Sequence, residues 1–361
     1  MSPLVFVAVA IVVVGGAIFL GVAQSGPDAP ARNEVARLPE PMAVPTAAAQ
    51  LTPRRYGDLT AWPMPRNSGP WGVTVTDEGA VWVAETLTPS VGRLSEGSYT
   101  RYRIAAVYPD PGVFHLAIGR GGDVWFTGYT GAGIGRVRPD GRVNYFDAPT
   151  PQTRTSVDVA SAPDGAVWVT DAKGGALVRV VASTPASVRS VEVRAPVGSD
   201  KTPQPYEIRP GSDGAMWFTD PTTNAVGRAT LDGREAGERT YDLPKGVSVR
   251  GLATSDGVVW VALTPGPGRL LRIDERAGDG SVVDVEGADS GFVEVAAAPD
   301  GSLWVPQIGA LLHIRPDGSL IRRVPLPSKN MSIAAMTVAS DGTLWATSTE
   351  DDVLLEVAPT P

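Results

Sequence analysis

Seven times between Trp71 and the C-terminus, the chain spells an apolar alternating segment, a turn of the Pro/Ser-Asp-Gly type, and a short segment carrying a tryptophan. The clearest copies are APDGAVWVTD around Trp168, GSDGAMWFTD around Trp217, APDGSLWVPQ around Trp304 and ASDGTLWATS around Trp345. DEGAVWVAE at Trp82, GRGGDVWFTG at Trp125 and TSDGVVWVAL at Trp260 complete the set, at spacings of 43, 43, 49, 43, 44 and 41 residues. A fixed period of this length marks one supersecondary unit repeated, since no single copy can bury its own apolar face.

The internal grammar of a copy is that of a meander. Asp-Gly between two apolar segments predicts a tight hairpin of type I′, whose two central residues take positive φ. A third segment follows: Val91-Gly92-Arg93-Leu94, Ile134-Gly135-Arg136-Val137, Leu177-Val178-Arg179-Val180, Val226-Gly227-Arg228-Ala229, Leu270-Leu271-Arg272-Ile273, Leu311-Leu312-His313-Ile314 and Leu354-Leu355-Glu356-Val357. A fourth is visible in Val143-Asn144-Tyr145-Phe146, in Arg239 to Pro244 and in Ile321 to Pro325. Four antiparallel strands in about 43 residues are one propeller blade. The fold class is therefore all-β, a seven-bladed β-propeller over residues 56–361. The seventh copy ends without a fourth strand, and residues 58–65, which include Leu59-Thr60-Ala61-Trp62-Pro63, are expected to supply it and close the ring. The repeated tryptophans are expected between blades. The repeated arginine, with His313 in the same slot, reads as a structural donor between blades.

Leu4 to Ala23 carries no charge and is about as long as a helix crossing a hydrocarbon core of ~30 Å. Residues 1–24 therefore read as one hydrophobic helix, a transmembrane anchor or a signal peptide. The absence of a basic start argues for the anchor. Residues 25–55 read as a Pro/Ala-rich linker holding the propeller on the extracytoplasmic side of the cell membrane, secretion being the alternative. With 31 Lys+Arg against 39 Asp+Glu, the charge of −8 leaves no basic stripe for nucleic acid. The chain has no cysteine, which excludes thiolate metal sites and a cysteine nucleophile. No phosphate-binding loop or dinucleotide fingerprint is present.

The blade spelling, xDGxxWFT followed by an IGR-like strand, resembles the virginiamycin B lyase (streptogramin lyase) family over about residues 56 to 358. Asp213 to Asp220 followed by Val226-Gly227-Arg228 is its best copy. The resemblance implies a seven-bladed propeller that opens the lactone of a type B streptogramin by metal-assisted elimination. It implies Mg²⁺, a histidine base on an innermost strand, and a Glu-x-His pair in the neighbouring blade. Ten residues before the motif tryptophans stand Gly72, His115, Asp158, Glu207, Arg250, Glu294 and Ala335. His115 fits the histidine place, but the next blade reads Ser156-Val157-Asp158, so the pair is absent. His115, Asp158 and Glu207 are the candidate catalytic and metal-ligating residues, expected together at the channel entrance. Imidazole and carboxylates suit a hard cation or a base. Glu85, Asp171 and Asp220, three residues after a tryptophan, read as loop acids. Two functions stay open: a binding or scaffold module taking a small ligand, glycan or protein at the channel face, and a metal-dependent lyase or hydrolase acting on a lactone-type ring.

Overall fold

Seven antiparallel sheets follow one another along the chain, because a glycine turn, Asp-Gly in five blades, Glu78-Gly79 in blade one and Gly121-Gly122 in blade two, folds each inner strand back against the tryptophan strand. The computed structural model describes residues 44–45, 48–104, 112–128, 133–146, 156–183 and 186–359. Blade one is Pro70–Val75, Val81–Glu85, Ser90–Ser95 and Ser98–Arg103. Blade two is Val113–Ile118, Val124–Gly128, Ile134–Val137 and Val143–Phe146; blade three is Ser156–Ser161, Val167–Asp171, Ala176–Val181 and Ser187–Glu192. Blade four is Ile208–Pro210, Ala215–Asp220, Ala225–Thr230 and Ala236–Arg239. Blade five is Ser248–Ser255, Val258–Thr264, Arg269–Asp274 and Gly280–Asp284, and blade six is Ala296–Ala297, Leu303–Gln307, Ala310–Ile314 and Leu320–Pro325. Blade seven takes Ala335–Val338, Leu344–Ser348 and Val353–Val357 from the end of the chain. Its fourth strand is Leu59–Pro63, with Val353 opposite Pro63 and Val357 opposite Leu59.

The strands pair within blades, and the apolar core lies between them. There are seven buried clusters, each joining one blade to the next around the ring, and each holds one motif tryptophan. Trp168, for example, packs with Ile208, Met216 and Phe218 of blade four, and Trp304 with Met336 and Leu344 of blade seven. All seven rings are at least nine-tenths buried, which is where large apolar side chains contribute most.

The repeated arginine slot faces the tryptophan directly. Trp82 pairs with Arg93, Trp125 with Arg136, Trp168 with Arg179, Trp217 with Arg228, Trp260 with Arg272, Trp304 with His313 and Trp345 with Glu356. Arg136 and Arg228 lie over their tryptophans, and the His313 ring stacks on Trp304 at 4.2 Å. The expected reach between blades is a minor part of the role. Arg136 and Arg228 bond the turn aspartate of their own blade, Asp123 and Asp213, at 2.9 and 2.8 Å, whereas Arg179 bonds Asp164 and also Leu231 O of blade four.

Two further expectations are corrected. At Asp256-Gly257 both residues have positive φ, as a type I′ turn requires, but in the other Asp-Gly turns only the glycine does. Around Gly165 the amide bonds Ala162 O at 2.9 Å, Ala162 N bonds Ala166 O, and Asp164 Oδ1 accepts from Ala166 N. This is a longer hairpin that uses Gly for one left-handed residue and Asp as a side-chain acceptor. In blade four the outer strand is Ala236–Arg239, not Arg239 to Pro244. Tyr241 and Leu243 leave the sheet to pack against Leu252 and Leu271 of blade five.

Pairing with the propeller begins inside the stretch read as linker. Val44–Pro45 and Ala49–Gln50 lie along the outer strand of blade one, and Arg54–Tyr56 lies along Leu59–Pro63. The expected helix over residues 4–23 and the first part of the linker fall outside the described residues. Among the described residues no helix is long and apolar enough to cross a membrane, and the helical geometry is one 3₁₀ turn, Arg120–Gly122.

Candidate functional site in the axial channel

The innermost strands stand side by side around the axis, and a threonine two residues after the tryptophan sets their spacing. Thr170 Oγ1 accepts from Asp158 N at 2.9 Å in its own blade and donates to Tyr206 O of the next at 2.8 Å. Thr127 does the same between His115 N and Val157 O, and Thr219 accepts from Glu207 N. The strands approach so closely that a Cβ at Gly72 would lie 2.8 Å from the Cα of His115. The Trp-x-Thr spelling thus fixes the backbone that carries each of the three candidate residues.

The structure brings His115 and Asp158 together and joins Glu207 to them through an arginine that the sequence did not single out. His115 Nδ1 is 3.2 Å from Asp158 Oδ1. Asp158 Oδ2 takes the Arg209 guanidinium and the amide of Ile208 at 2.9 Å, and Val159 N bonds Oδ1. Glu207 Oε2 accepts from Leu252 N at 2.9 Å and lies 3.6 Å from Arg209 Nη2. Glu294, reaching in from blade six, brings a second carboxyl against Glu207. Residues i and i+2 of a strand face the same side, so Arg209 was legible from Glu207-Ile208-Arg209. The position of Glu294 in the register was also readable, but not which carboxylate it would meet.

The electrostatics divide these acids. Burial opposes ionisation of Asp158, but the charge of Arg209, then the charge and hydrogen bond of His115, hold its carboxyl well below the usual range. Glu294 goes the other way: burial, then the charge and hydrogen bond of Glu207, push its carboxyl well above the usual range. Arg209 stays charged because Asp158, Glu207 and Glu294 outweigh the cost of burying it.

This cluster is not at an exposed entrance. His115, Asp158 and Glu207 keep only 7%, 1% and 2% of their surface, and His115 and Asp158 border an axial cavity of about 280 Å³ whose wall also includes Arg209, Glu294 and Met336. The Mg²⁺ implied by the resemblance does not fit this donor set. A guanidinium already lies against Asp158 and Glu207, and backbone amides take oxygens of both. Among the described residues no group of three His, Asp and Glu is arranged to hold a metal ion. The acids expected in loops are buried braces. Glu85 takes Tyr99 Oη at 2.8 Å and Arg101, Asp171 takes Gly174 N, and Asp220 takes the amides of Thr222 and Thr223.

Comparison with known proteins agrees with the blade grammar and the ring. The sequence profile of the virginiamycin B lyase family matches residues 57–234 and 190–359. A virginiamycin B lyase from Nocardia farcinica (strain IFM 10152) is 31% identical over 241 residues, covering 66% of this chain and 77% of that relative. A streptogramin B lyase structure superposes with a TM-score of 0.72 at 22% identity, covering 84% of this chain and 97% of the other. A catalytically inactive virginiamycin B lyase from Staphylococcus aureus, solved with quinupristin, gives 0.71 at 23% identity, covering 84% and 99%. These two likenesses show the fold. With the profile matching nearly the whole ring, this chain belongs to the virginiamycin B lyase family.

Proposed function

We propose that this propeller is a binding module whose axial cavity and surrounding loops take a small ligand, glycan or protein, and that it has left the lactone-opening chemistry of its relatives. The observation that carries this reading is Arg209, ion-paired with Asp158 and 3.6 Å from Glu207. Elimination needs a base free to take a proton near the operating pH, and an arginine-bound, fully buried carboxylate is a weak one. The family's Glu-x-His pair is absent from the blade after His115, which reads Ser156-Val157-Asp158. In keeping with the apolar segment 4–23, the module works at the extracytoplasmic face of the cell membrane.

A second reading rests on one specific contact. Asp158 on His115 Nδ1 orients the imidazole as a carboxylate orients a catalytic base, leaving Nε2 for a substrate in the cavity. Incubation of the protein with quinupristin, with and without Mg²⁺, and mass spectrometry of the product separate the two. The binding reading expects no ring opening. Turnover that disappears in His115→Ala overturns it and establishes a lyase.

A further inference from the structure

The ring is chemically two-faced. Within every blade the first and third turns lie at one end, while the second turns and the links between blades lie at the other. Hydrogen bonds between strand ends, Ser161 Oγ to Ile118 O and Thr254 Oγ1 to Pro210 O, show that the inner strands run in the same direction around the axis. The first end carries the Asp-Gly turns and is acidic, with Asp77, Glu78, Asp164, Asp213, Asp300 and Asp341. The other end holds all four lysines of the chain, Lys173, Lys201, Lys245 and Lys329, all exposed. It also holds four of the five large apolar residues exposed among the described residues: Leu87 at 60%, Val197 at 107%, Val293 at 40% and Ile308 at 70%.

The chain also enters at that end. Val44 lies opposite Arg103, the last residue of the outer strand of blade one, which finishes on the lysine-bearing face. From there to the apolar residues 4–23 only residues 24–43 intervene, a reach of about 70 Å at most when fully extended. We infer that this face, through Leu87 and Val197 with the lysines of blades three to five, docks on an anionic lipid surface, leaving the acidic Asp-Gly face toward solvent. Exposed aliphatic tips insert among headgroups while lysines meet anionic lipid, and the acidic end is repelled. Acids stand on this end too, Asp200 and Asp242 beside Lys201 and Lys245, and Asp289 and Glu350 to Asp352 toward blades six and seven, so the exposed aliphatic tips lead the contact and the lysines add to it. The inference rests on residues 4–23 meeting a bilayer and is independent of what the channel binds.

Because the chain has no cysteine, single-cysteine variants of the full protein can carry an environment-sensitive fluorophore at Leu87 or Val197, and at Glu78 or Arg276 on the opposite face. The probe is the labelled protein in vesicles of phosphatidylcholine and phosphatidylglycerol that contain nitroxide-labelled lipid. The docked face predicts loss of most of the fluorescence at Leu87 and Val197 and little at Glu78 and Arg276, with the difference shrinking in vesicles of phosphatidylcholine alone. Vesicle-bound protein whose Leu87 and Val197 probes stay as accessible to aqueous iodide as Glu78 overturns the inference but leaves the anchor standing. Failure of the full chain to associate with vesicles overturns both. Neither result bears on ligand binding in the channel.

Discussion

At the scale of single residues, the channel is a set of charges that can be buried only together. Removing the guanidinium of Arg209 would strand Asp158 and Glu207 without their cation, and breaking buried pairs in this way is commonly far more costly than making them is gainful. Glu294 is the opposite case, a carboxyl that its own burial, and then the charge of Glu207, hold in the neutral form. Its folded pKa is raised, so the folded state holds a proton that the unfolded chain releases above about pH 4.3. The stability from this group is present at low pH and is lost as pH rises toward the folded value. Asp158, held below its ordinary value, acts only beneath about pH 4, and its contribution is lost as pH falls. Chemical denaturation of the protein and of Glu294→Gln across the neutral range should therefore show a decline with rising pH that the variant lacks. Parallel curves for the two proteins would show that Glu294 ionises freely in the fold.

At the scale of the element, one rule of cross-strand pairing explains the spelling of the blades. Where phenylalanine follows the tryptophan, glycine faces it: Phe126 opposite Gly135, and Phe218 opposite Gly227. Where valine follows, the partner is larger in blades three, five and six, as in Val169 with Val178 or Val261 with Leu271, while in blade one Val83 faces Gly92, which Tyr99 covers instead. A Cβ at Gly227 would lie 2.0 Å from the Phe218 ring, so the ring lies flat over the glycine and covers its backbone. Gly227→Ala should cost about 1–3 kcal/mol as an overpacked core. Most of that should return in the double variant with Phe218→Val, measured as a coupling energy from a denaturation cycle. Additive losses would mean that the glycine serves the backbone and not the ring. The strands, their order and the tryptophan layer were legible in the sequence because hairpin turns and period-2 alternation are local signals. The outer strand of blade four was not, since Tyr241 follows a strand pattern in the chain yet is drawn off by the apolar surface of blade five. The partners of His115, Asp158 and Glu207 were unreadable for a related reason. Spacing predicts which way a side chain points, but Arg209 meeting Asp158 depends on how near two neighbouring inner strands come.

At the scale of the whole molecule, stability depends on joining two ends of the chain nearly 300 residues apart. The joint is held by more than the backbone ladder: Trp62 Nε1 bonds Glu356 at 2.9 Å. Asp352 accepts from the amides of Asn67 and Gly69 and from Ser68 Oγ, clasping the chain as it passes into blade one. Leu59 and Ala61 are buried in the cluster between blades six and seven. A protein beginning at Arg66 therefore loses that ladder, part of a core cluster and the cover of Val353–Val357, an apolar strand whose open edge invites pairing with another chain. One beginning at Gly57 keeps all of these and lacks only the outer additions to blades one and seven. The shorter protein should bind a hydrophobic dye, self-associate and unfold without a single cooperative transition, while the longer one should melt as one unit close to the intact chain. Equal melting of the two would mean that each blade pair is stable through its own tryptophan layer and that closure adds little. A marked loss confined to the shorter protein would show that the ring stands as one cooperative body only when residues 59–63 hold its first and last blades together.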